Sequence, residues 1–218
     1  DRGHAPAEPM PKRLKSIQDC IALSLLRSLR PSVVGEIGAD QSRVLPKLGE
    51  FATERYAIDV YDQSIGGGTT RLPEFEEIKH FNCLIGASKG VIPDGFFDCT
   101  FSISVVEHVS RLEAFYDDIV RITKAGGASF HLIDVYLDDE GINFQRAMVE
   151  ASLSLLKDPR IAPIEPPEIE RAEELRFSCS HASNDDFTMH TWNRTSPTLG
   201  AIRPHCQVVS LLLGIKVR

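Results

Sequence analysis

The sequence predicts a doubly wound α/β domain with a mainly parallel sheet, and three observations carry that prediction. Short apolar runs alternate with stretches of helical periodicity along the chain. The first of these runs, with Val33 and Val34 together and Ile37 close behind, suits a strand covered on both faces. The 218 residues, 42% hydrophobic, fit one domain able to bury a core without disulfide or metal staples.

The elements follow in order. Ile17, Cys20, Ile21, Leu25 and Leu29 recur at helical spacing until Pro31 stops the pattern, so a helix precedes the first strand. Ser32 to Gly38 reads as that strand. Val44, Leu45, Leu48 and Phe51 then place a helix after a tight turn, which opens a βαβ unit. Tyr56 to Val60 is the expected second strand, followed by a loop with Gly66, Gly67 and Gly68. A phosphate cradle would require Lys-Ser or Lys-Thr after those glycines, and neither follows. The third strand is expected at Phe81 to Ile85 and the fourth at Phe97 to Ser104, after the turn Pro93-Asp94-Gly95. Leu112, Phe115, Tyr116, Ile119, Val120 and Ile122 mark an amphipathic helix ending at Thr123 and capped by Gly126 and Gly127. A fifth strand is expected from Ala128 to Tyr136, and Phe144, Ala147, Met148, Ala151 and Leu155 set one more helix. Ala162 to Glu174, rich in Pro and Glu, reads as a surface excursion or lid, and Val208 to Val217 as the closing strand.

Charge and cysteine usage narrow the partners. A formal charge of -7 gives no general attraction to phosphate backbones or anionic lipid, and Lys12, Arg13 and Lys15 are too few to reverse it. Nucleic acid is not an expected partner. The five cysteines (Cys20, Cys83, Cys99, Cys179, Cys206) are scattered and include no C-x-x-C pair, which fits reduced thiols in a cytoplasm. No apolar run reaches the roughly 18 residues needed to span a bilayer.

The first βα turn, Glu36-Ile37-Gly38-Ala39-Asp40-Gln41-Ser42, decides between two kinds of nucleotide. Gly38 lets backbone approach a ligand closely, but the other glycines of G-x-G-x-x-G are missing. Asp40 stands where a pyrophosphate needs bare amides, so a dinucleotide would be repelled and an NAD-linked oxidoreductase is disfavoured. A cationic nucleoside would tolerate or favour Glu36 and Asp40. Asp59, 21 positions after Gly38, is placed either to accept hydrogen bonds from ribose hydroxyls or to act as a turn residue.

The run Pro93-Asp94-Gly95-Phe96-Phe97-Asp98-Cys99-Thr100-Phe101-Ser102-Ile103-Ser104-Val105-Val106-Glu107-His108-Val109 resembles the fourth-strand motif of class I, Rossmann-like S-adenosylmethionine-dependent methyltransferases. Arg121-Ile122-Thr123-Lys124-Ala125-Gly126-Gly127 is similar to the same family's entry into the fifth strand. With Glu36 to Ser42 and Asp59, the likeness covers about Val33 to Tyr136. It implies a three-layer α/β/α fold with a mainly parallel seven-stranded sheet and one antiparallel strand. It also implies S-adenosylmethionine as cofactor and S-adenosylhomocysteine as product.

Carried over by position, the resemblance sets Glu36 and Gly38, with the turn residues Ala39 and Ser42, against the methionine part of the cofactor. Asp59, followed by Val60, would hold the ribose, Ala87 and Ser88 would flank the adenine, and Ser104 with Val105 would floor the sulfonium. Two departures stand out: only Gly38 of the glycine turn remains, and Ser88 replaces the acid often used for adenine. Adenine contacts are therefore expected to rest on backbone and packing. His108 is expected beside the methyl as the general base for a hydroxyl acceptor, or else as a structural histidine capping the next helix. Asp134 is the second candidate, either at the acceptor pocket or as a loop anchor. His131 is expected to be a buried, hydrogen-bonded strand residue.

Residues 1–15 are expected to be a flexible segment or linker before a methyltransferase domain at 16–218, with a divergent acceptor-recognition region over about 137–205. Asp185, Asp186, His190 and Trp192 lie in that region, and their spacing matches no metal template. No metal is expected. The activity implied is methyl transfer to an O or N atom of a small-molecule acceptor such as a sugar, a polysaccharide unit or a natural product. The rival reading is a catalytically degenerate fold of the same kind, serving as a binding module in a larger assembly.

Overall fold

The computed structural model describes residues 14–40, 42–61, 75–136, 139–164 and 208–218. Within them α1 spans Leu14–Leu29, and seven strands follow: β1 Val33–Ile37, β2 Glu54–Asp59, β3 Ile78–Asn82, β4 Phe97–Ile103, β5 Thr123–Tyr136, β6 Ile161–Pro163 and β7 Val208–Val217. Helices α2, Leu112–Ile122, and α3, Asp139–Leu155, flank β5 in sequence. The strands form one sheet in the order β3-β2-β1-β4-β5-β7-β6. β7 pairs antiparallel with both β5 and β6, so it is the one reversed strand in an otherwise parallel sheet. That is the seven-stranded architecture the sequence implies.

Side-chain alternation divides the core between the two faces of the sheet. On one face Tyr56, Ile58, Phe97 and Ile133 pack with Phe115, Ile119 and Ile122 of α2 and with Met148 and Leu155 of α3. On the other, Val34, Ala57, Cys99, Phe101, Phe130 and Leu132 pack with Ala22 and Leu26 of α1. Phe101 and Phe130 are stacked at 5.4 Å, and each buried aromatic of this kind contributes on the order of 2–3 kcal/mol by area. β4 and β5 also bury polar side chains in pairs: Thr100 Oγ1 donates to Ser129 Oγ at 2.7 Å, and Ser102 Oγ bonds His131 Nδ1 at 2.8 Å. His131 is fully buried, and burial pushes its imidazole down to about 3, so it is a neutral strand residue as expected.

Four expectations are corrected. The helix after β1 is only a single 3-10 turn, Leu45–Leu48, because Pro46 removes a donor at its start and the chain must reach β2 by Glu54. The third strand lies earlier, at Ile78–Asn82. Ile78 is its buried residue, paired with Arg55, while Leu84 to Ala87 turn away toward the carboxyl ends of the strands. Gly126 and Gly127 do not cap α2: they lie inside β5, where Gly126 has φ +80 and the pairing with β4 shifts between Phe97 and Cys99. The expected surface excursion begins with an edge strand, β6, paired to β7; its residues 165–174 lie outside the described residues.

Residues 1–13, the triple-glycine loop, and the region holding Asp185, Asp186, His190 and Trp192 also lie outside the described residues. Leu14 and Lys15, assigned to the leading segment, already belong to α1. Among the described residues, no helix is long and apolar enough to cross a membrane.

Candidate active site

The parallel strands all end on one side, and there a cavity of about 590 Å³ opens over β1, β2 and β4. Its wall runs from Ile37, Gly38 and Asp40 after β1 to Ile58, Asp59 and Val60 of β2, then through Cys83 to Ala87 after β3. Ser104, Val105, the segment His108 to Arg111, and Phe115 of α2 close the circuit. This is the position at which doubly wound sheets bind ligands.

The backbone around the cavity is held in unusual conformations. Gly38, Asp40, Gly86 and Ser104 all have positive φ, at 65, 37, 95 and 55 degrees, and Asp40 and Ser104 adopt it at a steric cost. Gly38 N donates to Ile58 O at 2.8 Å, fastening the turn to β2. A Cβ on Gly38 would sit 2.4 Å from Val105 Cγ2, so the missing side chain is what lets the turn and the floor residue approach each other. Asp59 completes the seam: its Oδ2 accepts from Asp40 N at 3.0 Å and its Oδ1 from Val60 N at 2.7 Å. Burial raises its carboxyl above the usual range in spite of those two bonds.

Behind the turn lies Glu36, almost wholly buried and bonded to Ser42 Oγ. Ser42 Oγ also accepts from the backbone N–H of Leu45 at 2.9 Å, which ties the 3-10 turn to the buried acid. Burial pushes the Glu36 carboxyl up to about 8, so it is largely protonated at neutral pH. A carboxyl raised in the folded state adds stability that is full below about 4.5 and is lost as pH rises through about 8. Glu36→Gln is therefore expected to flatten that decline. Denaturant midpoints measured from pH 5 to pH 9 check it: wild type should lose stability relative to the variant as pH rises, and parallel curves would contradict the assignment.

The far end of the cavity is built by one buried carboxylate. Asp118 Oδ2 accepts from Gly86 N at 2.7 Å, Ser88 N at 3.1 Å and Ser88 Oγ at 2.7 Å. Its Oδ1 accepts from Arg121 Nε at 2.8 Å and Nη2 at 2.7 Å. Arg121 reaches on to Ile92 O at 2.7 Å and Asp94 Oδ1 at 2.6 Å. Burial alone would raise Asp118, but these hydrogen bonds outweigh it and hold the carboxyl below the usual range. The loop after β3 is thus laced to α2, and Leu84, Ile85, Gly86 and Ala87 present backbone and apolar surface to the cavity.

Of the residues singled out in the sequence, Gly38, Asp59, Val60, Ala87, Ser104, Val105 and His108 line this cavity, and Glu36, Ala39, Ser42, Ser88 and Asp134 do not. Ala39 is buried in the α1 side of the core. Ser88 is fully buried against Asp118 and Arg121, behind the wall formed by Ala87. Asp134 lies beneath the floor, accepting from Gln18 Nε2 at 2.6 Å, and the Gln18 amide also meets Ser104 Oγ at 3.1 Å and Ser210 Oγ at 3.0 Å. His108 is exposed at the cavity rim, at the end of the 3-10 turn Val106–His108.

Sequence reasoning missed Gln18, Asp118 and Arg111. Nothing local marks Gln18, since its partners lie 86 to 192 positions away. The spacing of Asp118 and Arg121 on one helix was visible but carries no sign of what the pair anchors. Tyr61, next in sequence to the lining residue Val60, is not itself among the residues that line the cavity. Its hydroxyl is buried with no hydrogen-bond partner among the described residues, and burial, then the charges of Asp59 and Asp40, push its pKa up.

These features fit a cationic nucleoside. The Gly38 cradle admits close backbone approach, two carboxylates, Asp40 and Asp59, stand at the ends of β1 and β2, and the loop beyond β3 offers apolar wall and backbone. Cys83, on the same wall, is pushed up to about 11 by burial and remains a thiol. Among the described residues, no group of three or more His, Cys, Asp or Glu side chains is placed to hold a metal ion.

Comparison with known proteins agrees with the geometry. Residues 36–130 match the family model described as a methyltransferase domain. Among solved structures, geranyl diphosphate C-methyltransferase from Streptomyces coelicolor A3(2) aligns with a TM-score of 0.59 at 11% identity, covering 100% of this chain and 90% of its own. N-methyltransferase NodS from Bradyrhizobium japonicum aligns at 0.51 and 20% identity over 73% of this chain and 83% of its own. The [4+2]-cyclase SpnF aligns at 0.61 and 11% identity over 97% and 85%. At these identities the structural likeness establishes the fold. No curated protein matches the chain.

Proposed function

We propose that this chain, a class I S-adenosylmethionine-dependent methyltransferase by its fold and by the match of residues 36–130, transfers the methyl group to an oxygen or nitrogen atom of a small molecule. The observation that carries the reading is the contact between Gly38 and Val105, with Asp59 beside it, at the carboxyl ends of β1, β2 and β4.

S-adenosylmethionine, when bound, supplies an activated methyl group on a positively charged sulfur. The chain's own residues have three tasks. Gly38 and Ser104 bring backbone to the cofactor, with Asp40 supplying a compensating negative charge, and Asp59 accepts from ribose hydroxyls with the lone pairs its two amides leave over. Val60, Leu84, Ile85 and Ala87 enclose the base, with the loop held by Asp118. His108, Val109 and Phe115 bound the space left for an acceptor, and holding it in line within a water-poor cavity is the main source of rate.

His108 is assigned as the base that takes the proton from a hydroxyl acceptor. With methyl-labelled S-adenosylmethionine and a panel of hydroxy and amino compounds, an accepted substrate should lose about a hundredfold or more in turnover on His108→Ala. Affinity for S-adenosylhomocysteine should stay the same. Undiminished turnover removes His108 from the reaction.

The net charge of -7 supports a small-molecule acceptor over nucleic acid, and the free thiols Cys20, Cys83 and Cys99 suit a cytoplasmic setting. The alternative, a binding module on the same fold, retains one support: a neighbour in structure, the cyclase SpnF, is named for an activity other than methyl transfer.

A further inference from the structure

The cavity is electrically uneven. Its acids, Asp40 and Asp59, stand on the β1 and β2 side, whereas Arg111 is the one lysine or arginine among the described residues that line it. Arg111 is exposed, and among the described residues its guanidinium makes no ion pair. It stands three residues after His108, in the lining segment His108 to Arg111 between β4 and α2. It immediately precedes α2, whose start has no side-chain cap, so the positive end of that 11-residue helix lies in the same place. Glu113 shares the first turn but does not line the cavity. The same part of the lining holds the apolar side chains Val109 and Phe115 beside the polar Ser110 and His108.

We infer that Arg111 binds an anionic group, carboxylate or phosphate, on the acceptor, so that the substrate is an acid with an apolar body and not a neutral sugar. The inference rests on the methyl-transfer reading for the identity of the site, and deepens it by naming the substrate class. A guanidinium binds either anion through paired N–H donors, and among the described residues no carboxylate pairs with Arg111 to occupy them. One segment then fixes both ends of the acceptor: Arg111 holds the anion while His108 faces the reacting atom. The cavity's charge pattern also separates its two occupants, since a cationic cofactor is drawn to the acids and an anionic acceptor to Arg111.

Calorimetric titration of the chain loaded with S-adenosylhomocysteine tests this with three probes of one shape: phenylacetate, phenyl phosphate and neutral phenylacetamide. At least one anion should bind at least about tenfold more tightly than the amide, and the preferred anion identifies the group. Arg111→Gln should erase that preference, Arg111→Lys should restore part of it, and affinity for S-adenosylhomocysteine should change less than about twofold. Equal binding of the three probes, no binding of any, or an anion preference that survives Arg111→Gln overturns the inference. Failure of S-adenosylhomocysteine to bind overturns the methyl-transfer reading instead, and the same three probes on the unloaded chain still decide whether Arg111 selects an anion.

Discussion

Replacing Asp118 by alanine should lower the stability of the chain by about 3–5 kcal/mol, the range found when one partner of a buried ion pair is removed. The carboxylate takes five hydrogen bonds, from Gly86, Ser88 and Arg121, and the side chain is nearly fully buried. Its loss leaves the Arg121 guanidinium short of its principal counter-charge and the Gly86 and Ser88 amides without acceptors. Chemical denaturation gives the stability. Hydrogen exchange adds a distinct signature, because protection should fall in the loop around Gly86 to Ile92 before it falls in β1 or β4. Asp118→Asn keeps the shape but converts acceptors into donors, and should recover little of the loss. Wild-type midpoints for both variants would mean that the loop is held by something other than this carboxylate.

The second large effect falls on Gly38→Ala. An added methyl group must displace Val105, whose Cγ2 would lie 2.4 Å away, and must also adopt φ +65, where side chains are strained. The two costs together amount to about 1–3 kcal/mol of stability. The larger effect is on binding: a displaced Val105 loses its place in the floor between β1 and β4, so cofactor affinity should fall by about a hundredfold or more. The two variants are distinguishable, since Asp118→Ala acts mainly on folding and Gly38→Ala mainly on the cavity.

How much of this was legible beforehand depended on the range of the interactions. Gly38, Asp59 and the fourth-strand run could be read because each answers to a local demand: a turn, a strand end, and a strand covered on both faces. A mainly parallel sheet followed from the strand and helix rhythm, and seven strands with one reversed from the family likeness. Ser88 stays behind the cavity wall because its partner, Asp118, lies 30 positions further on, and only the folded chain brings the two together. Asp134 is likewise held off the cavity wall by a distant partner, Gln18, 116 positions before it. β3 was set three residues late because Phe81, Cys83 and Ile85 look more strand-like than Ile78 with Lys79 and His80 beside it, yet Ile78 is the residue that the sheet buries.

The cavity above β1 and β4 should accept a cationic sulfur nucleoside and refuse a pyrophosphate. Calorimetric titration of the wild-type chain with S-adenosylmethionine, S-adenosylhomocysteine and NAD, each repeated with Gly38→Ala, measures that choice. The first two should bind with a Kd of about 1–100 μM and lose that binding in the variant, with no heat from NAD. Saturable binding of NAD with none of the sulfur nucleosides would contradict it.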